Sequence, residues 1–325
     1  MTRYAILQGV IHYLEGDCRQ VLPTLPAQSV NCSVTSPPYF GLRSYLKDDD
    51  PRKHLELGNE RSPQEYLENL VAVFRQVYRV LADNGTFWLN IGDAFAKKKV
   101  RDWNVKPGAL LGLPWRLVLH LQLEDWYLRS DIIWHATNKM PESVKTRPSR
   151  SHEYLFLFTK GKHYFYDVDA IREPCTSKGG GASFGKQKHD VTGTRAQSRR
   201  LRSAAERSHP LGRNKRSVWS IPTKSFHGAH FAVMPPELVR PCIRAGCPQG
   251  GVVLDPFAGS GTTAIVAEQE GRNAILIELN PAYIILQQQH LAVRSVLEGE
   301  KPALPPPLLP TEPVRKACQQ LLWDE

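Results

Sequence analysis

The sequence predicts an α/β protein with a mostly parallel sheet whose strands are not laid down in chain order. Three observations carry that expectation. Gly250-Gly251-Val252-Val253-Leu254-Asp255 is an apolar run of the length and kind that forms a strand buried on both faces. It enters a turn, Pro256-Phe257-Ala258-Gly259-Ser260-Gly261-Thr262-Thr263, and then a helical stretch, Ala264 to Glu268, that stops at Gly271. A second apolar strand, Ala274-Ile275-Leu276-Ile277-Glu278, completes a βαβ unit. After the next helix, 282–297, no strand pattern remains, so the sheet must borrow strands from the start of the chain.

The elements then follow in order. Val10 to Asp17 reads as a strand ending in Gly-Asp, and Asp17 is placed either to cap the short helix behind it or to face a ligand. Val30-Asn31-Cys32-Ser33-Val34-Thr35 is a strand that runs into Ser36-Pro37-Pro38-Tyr39. Two prolines without N–H groups hold that segment stiff and leave its carbonyls free as acceptors, beside a hydroxyl and a flat aromatic ring. Residues 40–61 form a charged loop. Ser62-Pro63-Gln64-Glu65 is a capping box with proline at the first helical position. The helix behind it carries Leu67, Leu70, Phe74, Val77, Tyr78 and Leu81 at core-facing spacing and is expected to end at Asp83-Asn84-Gly85, before a strand from Thr86 to Asp93.

A helix is expected over 114–123, followed by β-rich runs over 127–135 and 153–159. Lys97-Lys98-Lys99 and Arg101 read as a solvated face or a phosphate contact. A helix is also expected from about His230 through Leu238, with Pro241 kinking it or delaying its start. Residues 301–313 are proline-rich and read as an extended spacer.

Composition sets the outer bounds. The 325 residues suffice for one sizeable α/β domain plus a smaller insertion. No apolar stretch approaches a membrane span, and the N-terminus lacks a signal-peptide layout, so a cytoplasmic protein without membrane contact is expected. Six cysteines without C-x-x-C spacing read as reduced thiols, with no metal site. The formal charge of +10 is concentrated: residues 172–216 hold twelve Lys/Arg against three acids, a local +9. Arg195, Arg199, Arg200, Arg202, Arg213, Lys215 and Arg216 belong to this run, which is the footprint of a surface that meets phosphates or, on the plainer reading, a basic linker.

The glycine-rich turn does not match the dinucleotide pattern G-x-G-x-x-G, and no G-K-S/T follows it. Asp-Pro-Phe-Ala-Gly-Ser-Gly-Thr-Thr resembles instead the S-adenosylmethionine-binding motif of DNA amino-methyltransferases, and Ser-Pro-Pro-Tyr resembles their catalytic motif. With the catalytic motif first, the chain resembles the permuted beta class of the N4-cytosine/N6-adenine family over residues 10–295.

That resemblance implies a Rossmann-like methyltransferase fold with S-adenosylmethionine as cofactor and double-stranded DNA as partner, acting as a monomer or weak dimer. It implies a catalytic domain over 1–170 and 218–298, a basic target-recognition insertion at 171–217, and a tail from 299. Asp255, Pro256, Phe257, Gly259, Ser260, Gly261 and Thr262 would hold the cofactor, with Glu278 on its ribose, Asp17 on its adenine and Phe231 over its methionine end. Ser36, Pro37, Pro38 and Tyr39 would hold a flipped base, and Asn138 to Glu153 would help form its pocket, with Thr146 where an acid or Asn is usual.

Serine in the first motif position is commoner among N4-cytosine members than among adenine members, so the resemblance favours cytosine N4 over adenine N6. RNA or protein-amide methylation, and a DNA-binding protein that no longer reacts, are the rival readings. Pro174-Cys175 and Pro241-Cys242 do not follow the strand that a C5-methylating cysteine needs.

Overall fold

The computed structural model describes residues 10–175, 210–226 and 229–297. Among these residues, ten strands form an eight-stranded sheet and a two-stranded ribbon. They are β1 (Ile11–Glu15), β2 (Val30–Thr35), β3 (Leu81–Ile91), β4 (Tyr127–His135), β5 (His152–Thr159), β6 (Val218–Ser220), β7 (Lys224–Phe226), β8 (Ala229–Val233), β9 (Val252–Asp255) and β10 (Asn273–Glu278). The helices are α1 (Cys18–Val21), α2 (Pro63–Val80), α3 (Leu113–Leu123), α4 (Pro236–Gly246), α5 (Thr262–Gln269) and α6 (Pro281–Leu297).

The main sheet runs β1-β10-β9-β2-β3-β5-β4-β6. The first strand of the chain pairs in parallel with the last, Glu15 opposite Glu278. This is the borrowing that the sequence requires. β9 and β2 lie side by side, Leu254 opposite Ser33, so the glycine-rich turn and Ser36-Pro37-Pro38-Tyr39 leave the same end of adjacent parallel strands. β5 is antiparallel to both neighbours, β3 and β4.

The central strands β10, β9, β2 and β3 are buried on both faces, which explains their near-continuous apolar runs. On one face α2 brings Tyr66, Leu70 and Phe74 against Phe87, Leu89 and Ile277. On the other, α4 and α5 bring Val239, Ile243 and Val266 against Trp88, Val34 and Leu276. Alternation along β3 sends Phe87 and Leu89 to the first face and Trp88 to the second. The Ser62 side chain caps α2 by accepting from Glu65 N at 3.1 Å, while the Glu65 carboxylate accepts from Arg61 N at 3.1 Å.

Two boundaries differ from expectation. α2 ends at Val80, and Leu81 is already extended and paired with Val30, because strand pairing satisfies its backbone where a further helical turn would not. The stretch from His230 is not helical: β8 runs from Ala229 to Val233, and α4 begins only at Pro236. The reason is steric. A residue followed by proline is pushed out of the helical region, and Met234 and Pro235 are each followed by one. Pro241 sits inside α4 without ending it; the buried Leu238, Val239, Cys242 and Ile243 hold the helix against the sheet.

Candidate active site

Both motifs open into one cleft of about 1550 Å³ at the C-terminal ends of β1, β10, β9 and β2. Ser36, Pro37, Pro38 and Tyr39 line it, as do Asp17, Asp255, Pro256, Phe257, Gly259, Ser260, Thr262 and Glu278. Gly261 holds the turn from behind with φ +79, and a Cβ there would lie 2.7 Å from Gln287 Cγ, so glycine is required twice over.

Asp255 is fully buried and braces the site. Its two oxygens accept from Thr35 Oγ1 at 2.6 Å and Thr263 Oγ1 at 2.7 Å, and Oδ1 also accepts from Phe257 N at 3.1 Å. One carboxylate thereby ties the end of β2 to the turn after β9 and the start of α5. Burial pushes its carboxyl up to about 6, although all three donors pull it down. Glu278, at the end of β10, accepts from Gly259 N and Asn280 N, both at 2.8 Å. Burial raises it to about 7, against those backbone N–H groups. Asp17 caps α1 through Arg19 N at 2.9 Å and pairs with the Arg19 guanidinium, while also bordering the cleft.

At the other end of the cleft, Tyr39 is fixed from two sides. Its ring lies against Gly92, where a Cβ would be 2.7 Å from Cε2. Its hydroxyl donates to Glu153 Oε2 at 2.6 Å, with Asn90 Oδ1 at 3.3 Å. Ser36 Oγ is 3.4 Å from the Tyr39 hydroxyl. The Pro38 carbonyl accepts from Tyr66 Oη at 2.8 Å, which anchors the motif to α2. Asn90 and Gln287, whose Nε2 donates to Gly259 O at 2.6 Å, join the site without any signal in the sequence; no local pattern marks a side chain that meets its partner only after folding.

The charged residues divide. The Phe231 backbone belongs to β8, but its side chain lies outside the described residues, as do Arg195, Arg199, Arg200 and Arg202. Arg213 and Lys215 pair with Glu173 at 3.4 and 3.2 Å, and Arg216 is exposed. Glu173 and Arg213 also exchange backbone hydrogen bonds of 2.9 and 2.8 Å.

The sequence pattern of the DNA methylase family N6_N4_Mtase matches residues 30–289. The chain is 45% identical to the type II methyltransferase M.XycI of Xanthomonas campestris pv. cyanopsidis, covering 88% of this chain and 89% of that one. It is 43% identical to M.Cfr9I of Citrobacter freundii, over 83% and 84% of the two chains. Among solved structures it resembles PvuII DNA methyltransferase (cytosine-N4-specific) with a TM-score of 0.62 at 19% identity, over 97% and 92% of the chains. It also resembles a putative DNA modification methylase from Thermus thermophilus in complex with S-adenosyl-L-methionine, with a TM-score of 0.53 at 26% identity, over 87% and 95%.

S-adenosylmethionine is the cofactor of this fold, and the residues present suit it. The cleft joins a carboxyl at a strand end, suited to hydroxyl donors, to a glycine turn whose backbone a ligand can approach closely. Beyond the turn, the first N–H groups of α5 lack partners within the helix. With its two motifs on neighbouring strands of one cleft and its relatives matched over nearly their whole length, the chain belongs to the N6_N4_Mtase family of DNA methylases.

Proposed function

We propose that the protein methylates the exocyclic N4 of a cytosine flipped out of double-stranded DNA at a short recognition site, as the modification partner of a type II restriction system. The observation that carries this reading is the adjacency of Ser36-Pro37-Pro38-Tyr39 and the Asp255–Gly261 turn at one end of β2 and β9. The relatives' type II names support the restriction–modification setting. The serine at position 36, rather than an acid or amide, supports cytosine.

The chemistry asks for little beyond positioning. An exocyclic amine is a poor nucleophile because its lone pair is delocalised into the ring. Ser36 Oγ and the Pro37 carbonyl, at the end of β2, accept its two N–H groups and turn that lone pair out of the ring plane. The rigid Tyr39 ring gives the flipped base a surface to stack on. Glu278 takes ribose hydroxyls, and Asp17 and Phe257 flank the adenine. The bound cofactor supplies an electrophilic methyl group. The acceleration comes from orientation and from preorganised acceptors.

The test is single-molecule modification sequencing of DNA from cells that express the protein, beside a Ser36→Ala control. Modified cytosines in one short motif, absent from the control, are expected. Modified adenines would keep the fold and cofactor but overturn the choice of base. DNA without modification would overturn the activity itself. Ser36→Ala is expected to cut turnover at unchanged cofactor affinity, and a matching loss of affinity would refute the division of roles between the two motifs.

A further inference from the structure

Resting on the proposed amine methylation, we propose that Glu153 is the terminal proton acceptor of a relay that runs from the target amine through Ser36 and Tyr39. When the amine nitrogen bonds to the methyl carbon, the carbon–sulfur bond breaks and its electron pair stays on sulfur. The nitrogen must then shed one proton. Ser36 Oγ, already accepting an amine N–H, takes that proton as its own passes to Tyr39 Oη, and the Tyr39 proton passes to Glu153 Oε2. Each group but the last ends the step as it began. Glu153 ends it as a neutral acid and returns the proton to water between turnovers.

The geometry is in place before any substrate arrives. Ser36 Oγ donates toward Tyr39 Oη over 3.4 Å, and Tyr39 Oη donates to Glu153 Oε2 over 2.6 Å. The second bond has the short length of a hydroxyl on a charged carboxylate. Burial, followed by the nearby Glu153 charge, pushes the Tyr39 hydroxyl well above its ordinary range, so it stays protonated and able to donate. The other Glu153 oxygen faces Lys139 Nζ at 3.5 Å. Asn90 Oδ1, 3.3 Å from Tyr39 Oη, is a second and more distant acceptor for the same single proton, and the shorter bond goes to Glu153.

Glu153 borders the cleft with its side chain 19% exposed, which gives the proton a way out. Asp93, Lys97, Lys98, Arg150 and His152 also line the cleft, and Tyr66 acts on Tyr39 from α2. A structural explanation for Glu153 is weaker. A tyrosine held only for packing needs no carboxylate, and the burial of an acid beside a catalytic motif costs stability.

The decisive experiment measures single-turnover methyl transfer to cognate duplex DNA by the full chain, in H2O and in H2O/D2O mixtures, for wild type, Glu153→Gln, Tyr39→Phe and the double variant. Cofactor affinity, read by titration, reports folding. Each single variant is expected to keep cofactor affinity and lose about a hundredfold in rate. The double variant is expected to lose no more than the worse single. Wild type is expected to show a curved dependence on deuterium fraction that both variants lack. A Glu153→Gln enzyme with the wild-type rate and deuterium dependence, or losses that add in the double variant, would overturn the relay alone. A wild-type protein that methylates no DNA would overturn the proposed function and the relay with it.

Discussion

Glu278 and Asp255 are carboxyls of one site that perform different tasks, and their surroundings separate them. Asp255 spends both oxygens on Thr35 and Thr263, so it is a brace between three elements and has little left for a ligand. Glu278 is met by backbone N–H groups, those of Gly259 and Asn280 at 2.8 Å, and faces the cleft. Both carboxyls are raised, to about 6 and about 7. Their contributions to folding stability are therefore fully present below the ordinary carboxyl range and lost as pH rises through those values. In the proposed cofactor site, hydroxyls on Glu278 would favour its ionised form, so cofactor binding would run the other way. Affinity should rise with pH up to about 7 and level off above it, with losses of up to about tenfold per unit below. Titrations on either side of that value check this, and Glu278→Gln should show weak, pH-flat binding; an unchanged slope would take Glu278 out of the cofactor site. At this scale the sequence exposes the two motifs but not their supports. Glu153 reaches Tyr39 across 114 positions and Thr35 reaches Asp255 across 220, distances over which no local pattern carries information.

Single elements are legible where local chemistry and packing agree. α2 begins where its capping box and proline say, and its apolar stripe is its buried face. Its end is ambiguous in the sequence, because Leu81 satisfies both helical spacing and strand pairing, and only the presence of Val30 beside it decides for the strand. The helix expected from His230 rests on a family resemblance, and the consecutive Pro235 and Pro236 override it; they postpone α4, while β8 pairs with β7. The cap on α2 can be weighed. Ser62→Ala removes the acceptor of Glu65 N and should cost about 1 kcal/mol. In a domain of this size that is roughly 2–4 °C of melting temperature. Calorimetry should show the shift with cofactor affinity unaltered, since the helix holds the catalytic motif through Tyr66 and its bond to the Pro38 carbonyl, one turn away from the cap. A larger loss accompanied by weakened cofactor binding would mean that the helix start, and not merely its cap, positions the catalytic motif.

The whole molecule joins a rigid αβα body to a concentrated positive charge. The permuted sheet shows in the parallel pairing of β1 with β10, which lie at opposite ends of the described residues. The antiparallel placement of β5 between β3 and β4 cannot be read from the sequence, since it depends on which edge of the sheet remains open. The charge follows the same division. Residues 172–216 carry +9, yet Arg213 and Lys215 are already paired with Glu173. Within the rest of the run, Arg199, Arg200 and Arg202 are the densest cationic group. Replacing all three by alanine should weaken DNA binding at low salt and flatten the plot of log affinity against log salt by about 0.9 for each phosphate no longer neutralised. Cofactor affinity should stay the same, because the Asp255 brace and the Glu278 site belong to the body. Replacing Lys215 alone should change the slope less than the triple variant does, because it removes a single cation that shares Glu173 with Arg213. Should the triple variant keep the wild-type slope while the Lys215 variant flattens it, DNA would be meeting the surface at Glu173 and Arg213, and the ion pairs there would have to open on binding.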